Sequence, residues 1–157
     1  MSKSKICIRE AQKNDSTEIG AMAKEFADYL RALGDKTKFR FNSKTYLRDG
    51  FGHKPAFKGL IAEVNSKAAG YLLYHWGYDT DRAIRIIHIV DLFVREEFRR
   101  HGGGQALMQG AQTICKEGGG EMLVWEVHAP NRPARKFYRQ LGAHYVKNIL
   151  MMKLPVK

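Results

Sequence analysis

A basic, glycine-rich turn is the part of this sequence whose residue types and spacing point most directly to chemistry. It reads Arg99-Arg100-His101-Gly102-Gly103-Gly104-Gln105. An apolar run at residues 86–94 predicts a strand before the turn, and a helical pattern begins at Gly104. Glycines between a strand and a helix leave backbone N–H groups open to an anion at the helix N-terminus. The turn therefore predicts a site for a pyrophosphate group.

Two common phosphate-binding motifs do not fit this turn. A P-loop needs Lys and then Ser or Thr after its last glycine, whereas Gln105 and Ala106 follow Gly104. A dinucleotide-binding fingerprint needs a further glycine three residues after Gly104, where Leu107 stands. The pattern that remains is Arg99-x-x-Gly102-x-Gly104. A glycine turn shaped only by packing stays open as the alternative interpretation.

A second pattern begins at Asn131 and predicts a helix that ends near Gly142. Asn131 is a good N-cap, and the following proline is tolerated in a first helical turn. Apolar residues then recur at helical spacing, at Ala134, Phe137, Tyr138 and Leu141.

Taken together, the two patterns resemble two signatures of the GNAT superfamily of N-acetyltransferases. Arg99-x-x-Gly102-x-Gly104 is similar to its acyl-CoA pyrophosphate motif, and residues 131–143 are similar to its Asn-x-x-Ala-x-x-Phe-Tyr-x-x-x-Gly-Phe/Ala pattern. The resemblance implies acetyl-CoA as cosubstrate, an amine as acceptor, direct acetyl transfer and no metal. Two other classes stay open, a non-catalytic acyl-CoA-binding module and a basic nucleic-acid-binding protein.

Within the superfamily, the pattern is most similar to the diamine (spermidine/spermine) and thialysine N-acetyltransferases. The resemblance rests on Asp91-Leu92-Phe93-Val94 together with the two motifs above. It favours a small, polyamine-like primary amine, and a protein lysine or N-terminal amine is the alternative acceptor. Val90 stands where that group commonly has a glutamate, and this chain is basic where that group has an acidic acceptor channel.

The resemblance also implies which residues form the site. Acetyl-CoA contacts are expected from the backbone of Leu92, Phe93 and Val94, from the turn Arg99, Arg100, His101, Gly102, Gly103, Gly104 and Gln105, and from Asn131, Ala134 and Tyr138. The Tyr138 hydroxyl is expected beside the CoA sulfur as the acid for the leaving thiolate, with a core tyrosine as the alternative. Apart from the resemblance, Asp91 is the first candidate base because of its position at the end of the apolar strand. Glu126, His128 and His88 are alternatives, and a water relay would make no side chain essential.

The rest of the chain predicts the elements that position these residues. Residues 1–157 are interpreted as a single α/β (α+β) domain with a central mixed, mostly antiparallel sheet flanked by helices. The predicted order is β-α-α-β-β-β-α-β-α-β-β, similar to the superfamily over nearly the whole chain. It closes with strands near residues 144–146 and 149–154.

Composition and charge indicate which partners and which cellular location are expected. The net charge is +11, but no block of five like charges and no aromatic-interleaved basic stripe is present, so a nucleic-acid partner is not expected. No apolar run is long enough for a membrane span, and no signal-peptide core follows the basic residues 1–5. Cys7 and Cys115 show no metal spacing and are interpreted as reduced and buried in a cytoplasmic protein. The resemblance implies a homodimer.

Overall fold

One five-stranded sheet organises the chain in the computed structural model, which describes residues 5–156. The basic N-terminal residues 1–4 lie outside this range. The strands are β1 (Ile6–Glu10), β2 (Lys58–Val64), β3 (Lys67–Asp79), β4 (Ile84–Val94) and β5 (Gly120–Val124). The helices are α1 (Ser16–Ala32), α2 (Ser43–Phe51), α3 (Gly103–Glu117) and α4 (Arg132–Gln140), with single 3-10 turns at Lys13–Asp15 and Glu96–Phe98.

The strand order in the sheet is the order along the chain, β1-β2-β3-β4-β5. The first four strands are antiparallel, and the turn between β2 and β3 is tight because Asn65 and Ser66 adopt φ of 50° and 65°. β5 runs parallel to β4, which requires a crossover connection, and α3 provides it. The predicted mixed, mostly antiparallel sheet flanked by helices is confirmed.

The two faces of the sheet pack against different helices. One face buries Leu72 and Ile87 against Leu107 of α3. The other face buries Ile61 against Ile19 of α1, together with residues of α2. Alternate side chains of each strand therefore point either towards α3 or towards α1 and α2.

A β-bulge in β4 changes this alternation at the point where the site forms. Leu73 pairs with Asp91 and Tyr74 pairs with Ile89, so Val90 is the extra residue. Ile89 belongs to the cluster on the α3 face, whereas Phe93 belongs to the cluster on the α1 and α2 face. The bulge thus places Asp91, two residues before Phe93, on the α1 and α2 face.

β4 and β5 separate after a short paired stretch. Their described pairing runs from Arg85 with Gly120 to His88 with Val124, while β4 continues to Val94 alongside β3. Within residues 5–156, the β5-facing edge of β4 is therefore open beyond His88. In this splayed arrangement, β5 leaves the backbone groups on that edge of β4 unpaired.

The prediction of two closing strands is wrong for the described residues. No strand follows α4 as far as residue 156, so the observed order is β-α-α-β-β-β-α-β-α. The apolar residues of this segment resemble strands, but a strand forms only where a neighbouring backbone pairs with it. In the folded chain these side chains are exposed, and Leu150, Met152 and Leu154 are 89%, 91% and 91% accessible.

The interpretation of both cysteines as buried is wrong for one of them. Cys115, a residue of α3, is buried, but Cys7 is exposed. Cys7 lies on an edge strand between Ile6 and Ile8, whose half-buried side chains take the inward-facing positions, so strand alternation turns Cys7 outward.

Candidate functional site

The glycine-rich turn has the geometry of an anion-binding nest. Arg100 and Gly102 both adopt positive φ, of 63° and 86°, immediately before α3 begins at Gly103. Left-handed residues in such a turn can direct the neighbouring backbone N–H groups towards one side. The first N–H groups of α3 also have no acceptor within the helix. The arrangement can therefore hold a negatively charged group at the positive end of α3.

The three glycines of the turn serve different purposes. Gly102 is needed for its left-handed backbone, since a side chain there would be strained. A Cβ on Gly103 would lie 3.8 Å from Val94, and a Cβ on Gly104 would lie 3.2 Å from the ring of Phe137 in α4. Gly104 thus allows α3 to approach α4 closely, which gives this glycine a packing role whether or not its N–H binds an anion.

The basic residues of the turn divide into an anchoring residue and exposed charges. Nε of Arg99 donates to the carbonyl of Val94 at 2.9 Å, which fastens the turn to the end of β4. The Arg99 guanidinium also lies over the ring of Tyr29, 5.1 Å from its centroid. Arg100 and His101 are exposed at the mouth of the nest. They are the cations of the turn that an arriving anion meets first.

Asn131 caps α4, as predicted. Its buried Oδ1 accepts from the N–H of Ala134 at 3.2 Å and from the hydroxyl of Tyr29 at 2.9 Å. These bonds tie the start of α4 to α1, so Asn131 and Ala134 position α4. The outer face of α4 is basic and lines a shallow groove of about 510 Å³ with Arg132, Arg135, Lys136 and Arg139.

The strand Leu92–Val94 presents its backbone to the opening and its side chains to the core. Phe93 is buried and stacks on Phe26 of α1 with centroids 5.4 Å apart. Leu92 and Val94 pack on the opposite cluster, against α3. A ligand at this edge would therefore meet N–H and C=O groups.

At the same edge, the carboxyl group of Asp91 is largely buried and has a raised pKa. Its Oδ2 accepts a hydrogen bond of 3.1 Å from the hydroxyl of Tyr71, a fully buried residue of β3. Burial raises the pKa of Asp91 to about 6, and the hydrogen bond from Tyr71 opposes part of that rise. A carboxylate with this pKa is ionised at neutral pH and can accept a proton there.

Tyr138 lies near Asp91 on the α4 side of the opening. Its ring packs on Trp125, just after β5, with centroids 5.0 Å apart. Burial raises the pKa of Tyr138 to about 12, and the charge of Asp91 adds to this rise. The hydroxyls of Tyr29, Tyr46 and Tyr71 donate to protein groups, whereas the hydrogen bonds found among residues 5–156 do not include the Tyr138 hydroxyl.

The other candidate bases lie in two places. His88 bonds to Glu126 and also to His75, a residue that sequence reasoning did not select. Only the β3–β4 register places His75 opposite His88, and a sequence pattern does not specify that register. Nε2 of His128 is buried and has no hydrogen-bond partner among the described residues.

Residues 5–156 contain neither a membrane-spanning helix nor a cluster of metal-binding side chains. No helix in that range combines the length and apolar character needed to cross a bilayer. In the same part of the chain, no group of three or more His, Cys, Asp or Glu side chains is placed to hold a metal ion.

Comparison with known proteins agrees with this geometry. The model of the Acetyltransferase (GNAT) family matches residues 21–143. A thialysine N-epsilon-acetyltransferase from Bos taurus is 32% identical over 147 residues, covering 88% of this chain and 84% of the relative. An N-alpha-acetyltransferase from Sulfurisphaera tokodaii is 33% identical over 95 residues, covering 56% of this chain and 57% of the relative.

The fold is also found in solved structures. A possible acetyltransferase from Clostridium difficile 630 superposes with a TM-score of 0.79 at 19% identity, covering 97% of this chain and 99% of that one. The nest at α3, the splayed β4 edge and these relatives lead to one conclusion: the chain belongs to the GNAT acetyltransferase family and is an N-acetyltransferase.

Proposed function

We propose that this enzyme transfers an acetyl group from acetyl-CoA directly to a primary amine of a small, polyamine-like molecule. The observation that carries the proposal is the opening between β4 and β5, which has the nest of α3 at one end and Asp91 and Tyr138 at its sides. The name of the Bos taurus relative, a thialysine acetyltransferase, supports a small acceptor. The Sulfurisphaera tokodaii relative favours a second candidate, the N-terminal amine of a protein.

The donor is expected to lie along the opening. The N–H groups of Gly102, Gly103, Gly104 and Gln105 would hold the pyrophosphate, with Arg100 and His101 neutralising its charge. The backbone of Leu92, Phe93 and Val94 would pair with the pantetheine amides. The basic groove of α4 adds favourable charge for the phosphates of CoA.

Asp91 and Tyr138 are proposed as the catalytic residues at the reacting centre. The ionised Asp91 carboxylate takes the proton that the amine nitrogen loses as the C–N bond forms. The Tyr138 hydroxyl donates a hydrogen bond to the sulfur as the C–S bond breaks. Asp91, with a pKa of about 6, can then pass its proton to the thiolate, since an ordinary thiol has a pKa of about 8.5.

The proposal is tested by thiol release from acetyl-CoA with a panel of amines and N-terminal peptides, together with CoA binding by calorimetry. Turnover of a small amine is expected. Gly102→Val is expected to weaken CoA binding at least tenfold, because the residue would leave the left-handed conformation that forms the nest.

Gly119→Val is the matched control for this variant. Gly119 also has positive φ, 73°, but it lies at the other end of α3 with open space around its Cβ position. It carries a similar backbone strain and is expected to keep CoA affinity. Equal affinity in both variants would contradict the nest, and failure of every amine and peptide would contradict the function.

We also propose that the enzyme is a homodimer in which the apolar segment 144–156 pairs with a second copy. Exposed apolar side chains such as Ile149, Leu150, Met152 and Leu154 support this. β5 is the last strand of the sheet, so its outer edge can accept another strand. A cytoplasmic location also stays a prediction.

Light scattering is expected to give about twice the 17.9 kDa mass of the chain. The double variant Leu150→Lys with Met152→Lys is expected to run as a monomer, since charges would disfavour the buried pairing. Leu47→Lys, at a partly exposed position of α2, is the matched control and should stay dimeric. A monomeric wild-type protein at working concentration would contradict the proposal.

A further inference from the structure

Three side chains form a hydrogen-bonded array on the α1 and α2 face of the sheet. Nδ1 of His88 lies 2.9 Å from Nε2 of His75, and Nε2 of His88 lies 2.7 Å from Oε2 of Glu126. Nδ1 of His75 lies 3.1 Å from the carbonyl of Trp76. The array thus runs from β3 across β4 to Glu126, two residues beyond the end of β5.

A count of hydrogens shows that this array has a place for one additional proton, at Nε2 of His88. The backbone carbonyl at one end accepts only, and so does an ionised Glu126 at the other. The three contacts need three hydrogens, whereas two neutral imidazoles carry one each. All three bonds form only when one additional proton is bound, and the ion pair of His88 with Glu126 then stabilises it.

The array is placed where an amine would reach the opening. His88 is the last residue of β4 that pairs with β5, and the strands separate beyond it. The residues on either side of His88 and His75 pack towards α3, so the two imidazoles point to the opposite face, the face of Asp91. The His88 side chain is 25% exposed and Glu126 is 56% exposed, so the array is accessible from solvent.

Resting on the function proposed above, we propose that His88 is a catalytic residue: its Nε2 accepts the first proton of the ammonium substrate, with His75 and Glu126 as positioning residues. Glu126 attracts the cation and then pairs with the imidazolium. His75 accepts from Nδ1–H of His88 and so turns Nε2 towards Glu126 and the incoming amine.

His88 and Asp91 each accept one of the two protons that the substrate nitrogen loses. An ammonium ion loses one proton to His88, and the neutral amine then attacks the thioester carbon. The C–N bond forms, the C–S bond breaks, and the second nitrogen proton passes to Asp91 and from there to the thiolate. The products are an amide and a thiol, and the one net proton leaves His88 for solvent past Glu126.

His88→Ala and His88→Gln test this assignment with the best amine of the panel. At pH 7 we expect kcat/KM for the amine to fall about 10²-fold, with unchanged CoA affinity. The loss should shrink about tenfold for each unit of pH as the solution approaches the pKa of the amine, ~10, because free amine needs no first base. Added imidazole should restore part of the His88→Ala activity, and Glu126→Gln should lose less.

Several readouts separate catalysis from structure. Other groups of the array and its face, His75, Glu126 and Asp91, stay in place in His88→Gln, so a changed pH profile reports on His88 itself. His53→Ala, an exposed histidine at the end of α2, is the matched control and should behave as wild type. A wild-type pH profile in a folded His88→Gln variant, or no imidazole rescue, would overturn the assignment. Inactivity of the wild-type enzyme towards every amine would instead overturn the proposed function.

Discussion

Replacing Tyr138 by phenylalanine is expected to lower kcat about 10²-fold and leave CoA affinity nearly unchanged. The change removes a donor to developing negative charge, and such donors are typically worth 10²–10³-fold. Moving the proton fully from a phenol of pKa about 12 to a thiolate of pKa ~8.5 would cost about 5 kcal/mol. We therefore expect the hydroxyl to act as a hydrogen-bond donor to the sulfur, with Asp91 supplying the proton.

Tyr46→Phe is the matched control for a structural hydroxyl. Tyr46 is buried and donates to the carbonyl of Gln12 at 2.9 Å, so its loss should reduce stability by about 1 kcal/mol without changing kcat. Unfolding and turnover are measured on the same samples. Full turnover in Tyr138→Phe would remove Tyr138 from the mechanism, and reduced stability with normal kcat would assign it to the core.

Replacing Asp91 by asparagine is expected to lower kcat by 10²–10⁴-fold and, above pH 7, to stabilise the fold. The amide cannot accept the nitrogen proton, but it still accepts the hydrogen bond from Tyr71. Unlike His88→Ala, this variant should not recover at high pH, because the proton lost during C–N bond formation still needs an acceptor. The same pH series distinguishes the two bases.

The stability effect has a definite sign. Burial raises the pKa of Asp91 from 3.8 to about 6, so the folded state prefers the protonated carboxyl. This contribution to stability is fully present below pH 3.8 and is lost as the pH rises through about 6. At pH 8 the ionised carboxylate lowers the free energy of unfolding by about 3 kcal/mol at most. The free energy of unfolding of Asp91→Asn should therefore exceed that of the wild type by about 1–3 kcal/mol at pH 8, and the two should be equal near pH 4.

The activity of the wild-type enzyme should follow the same ionisation in the opposite sense. Asp91 accepts a proton only when it is ionised, so kcat should fall as the pH drops below about 6. Denaturant unfolding at pH 4 and pH 8 checks the direction of the stability change, and kcat measured across the same range checks the direction of the activity change. If Asp91→Asn gains no stability at pH 8, the ionised Asp91 carboxylate does not destabilise the fold, and the argument from burial is wrong.

Local sequence determined the parts of the site that depend on neighbouring residues. The turn before α3 and the Asn131 cap of α4 follow from glycine, an amide side chain and helical spacing within a few positions of each other. For this reason the family and the order of the elements before residue 141 could be predicted without a structure. The role of Tyr138 came from the resemblance and that of Asp91 from its position in the strand, and both stay predictions.

Tertiary structure decided the features that join distant segments. The bulge at Val90 sets the face of Asp91, and the β3–β4 register brings His75 to His88. Glu126 reaches the same array only because β5 runs parallel to β4 through the α3 crossover. The apolar segment 144–156 resembles two strands, yet it forms none in the described chain, because a strand forms only where its backbone pairs with a neighbouring one and sequence pattern does not specify that pairing.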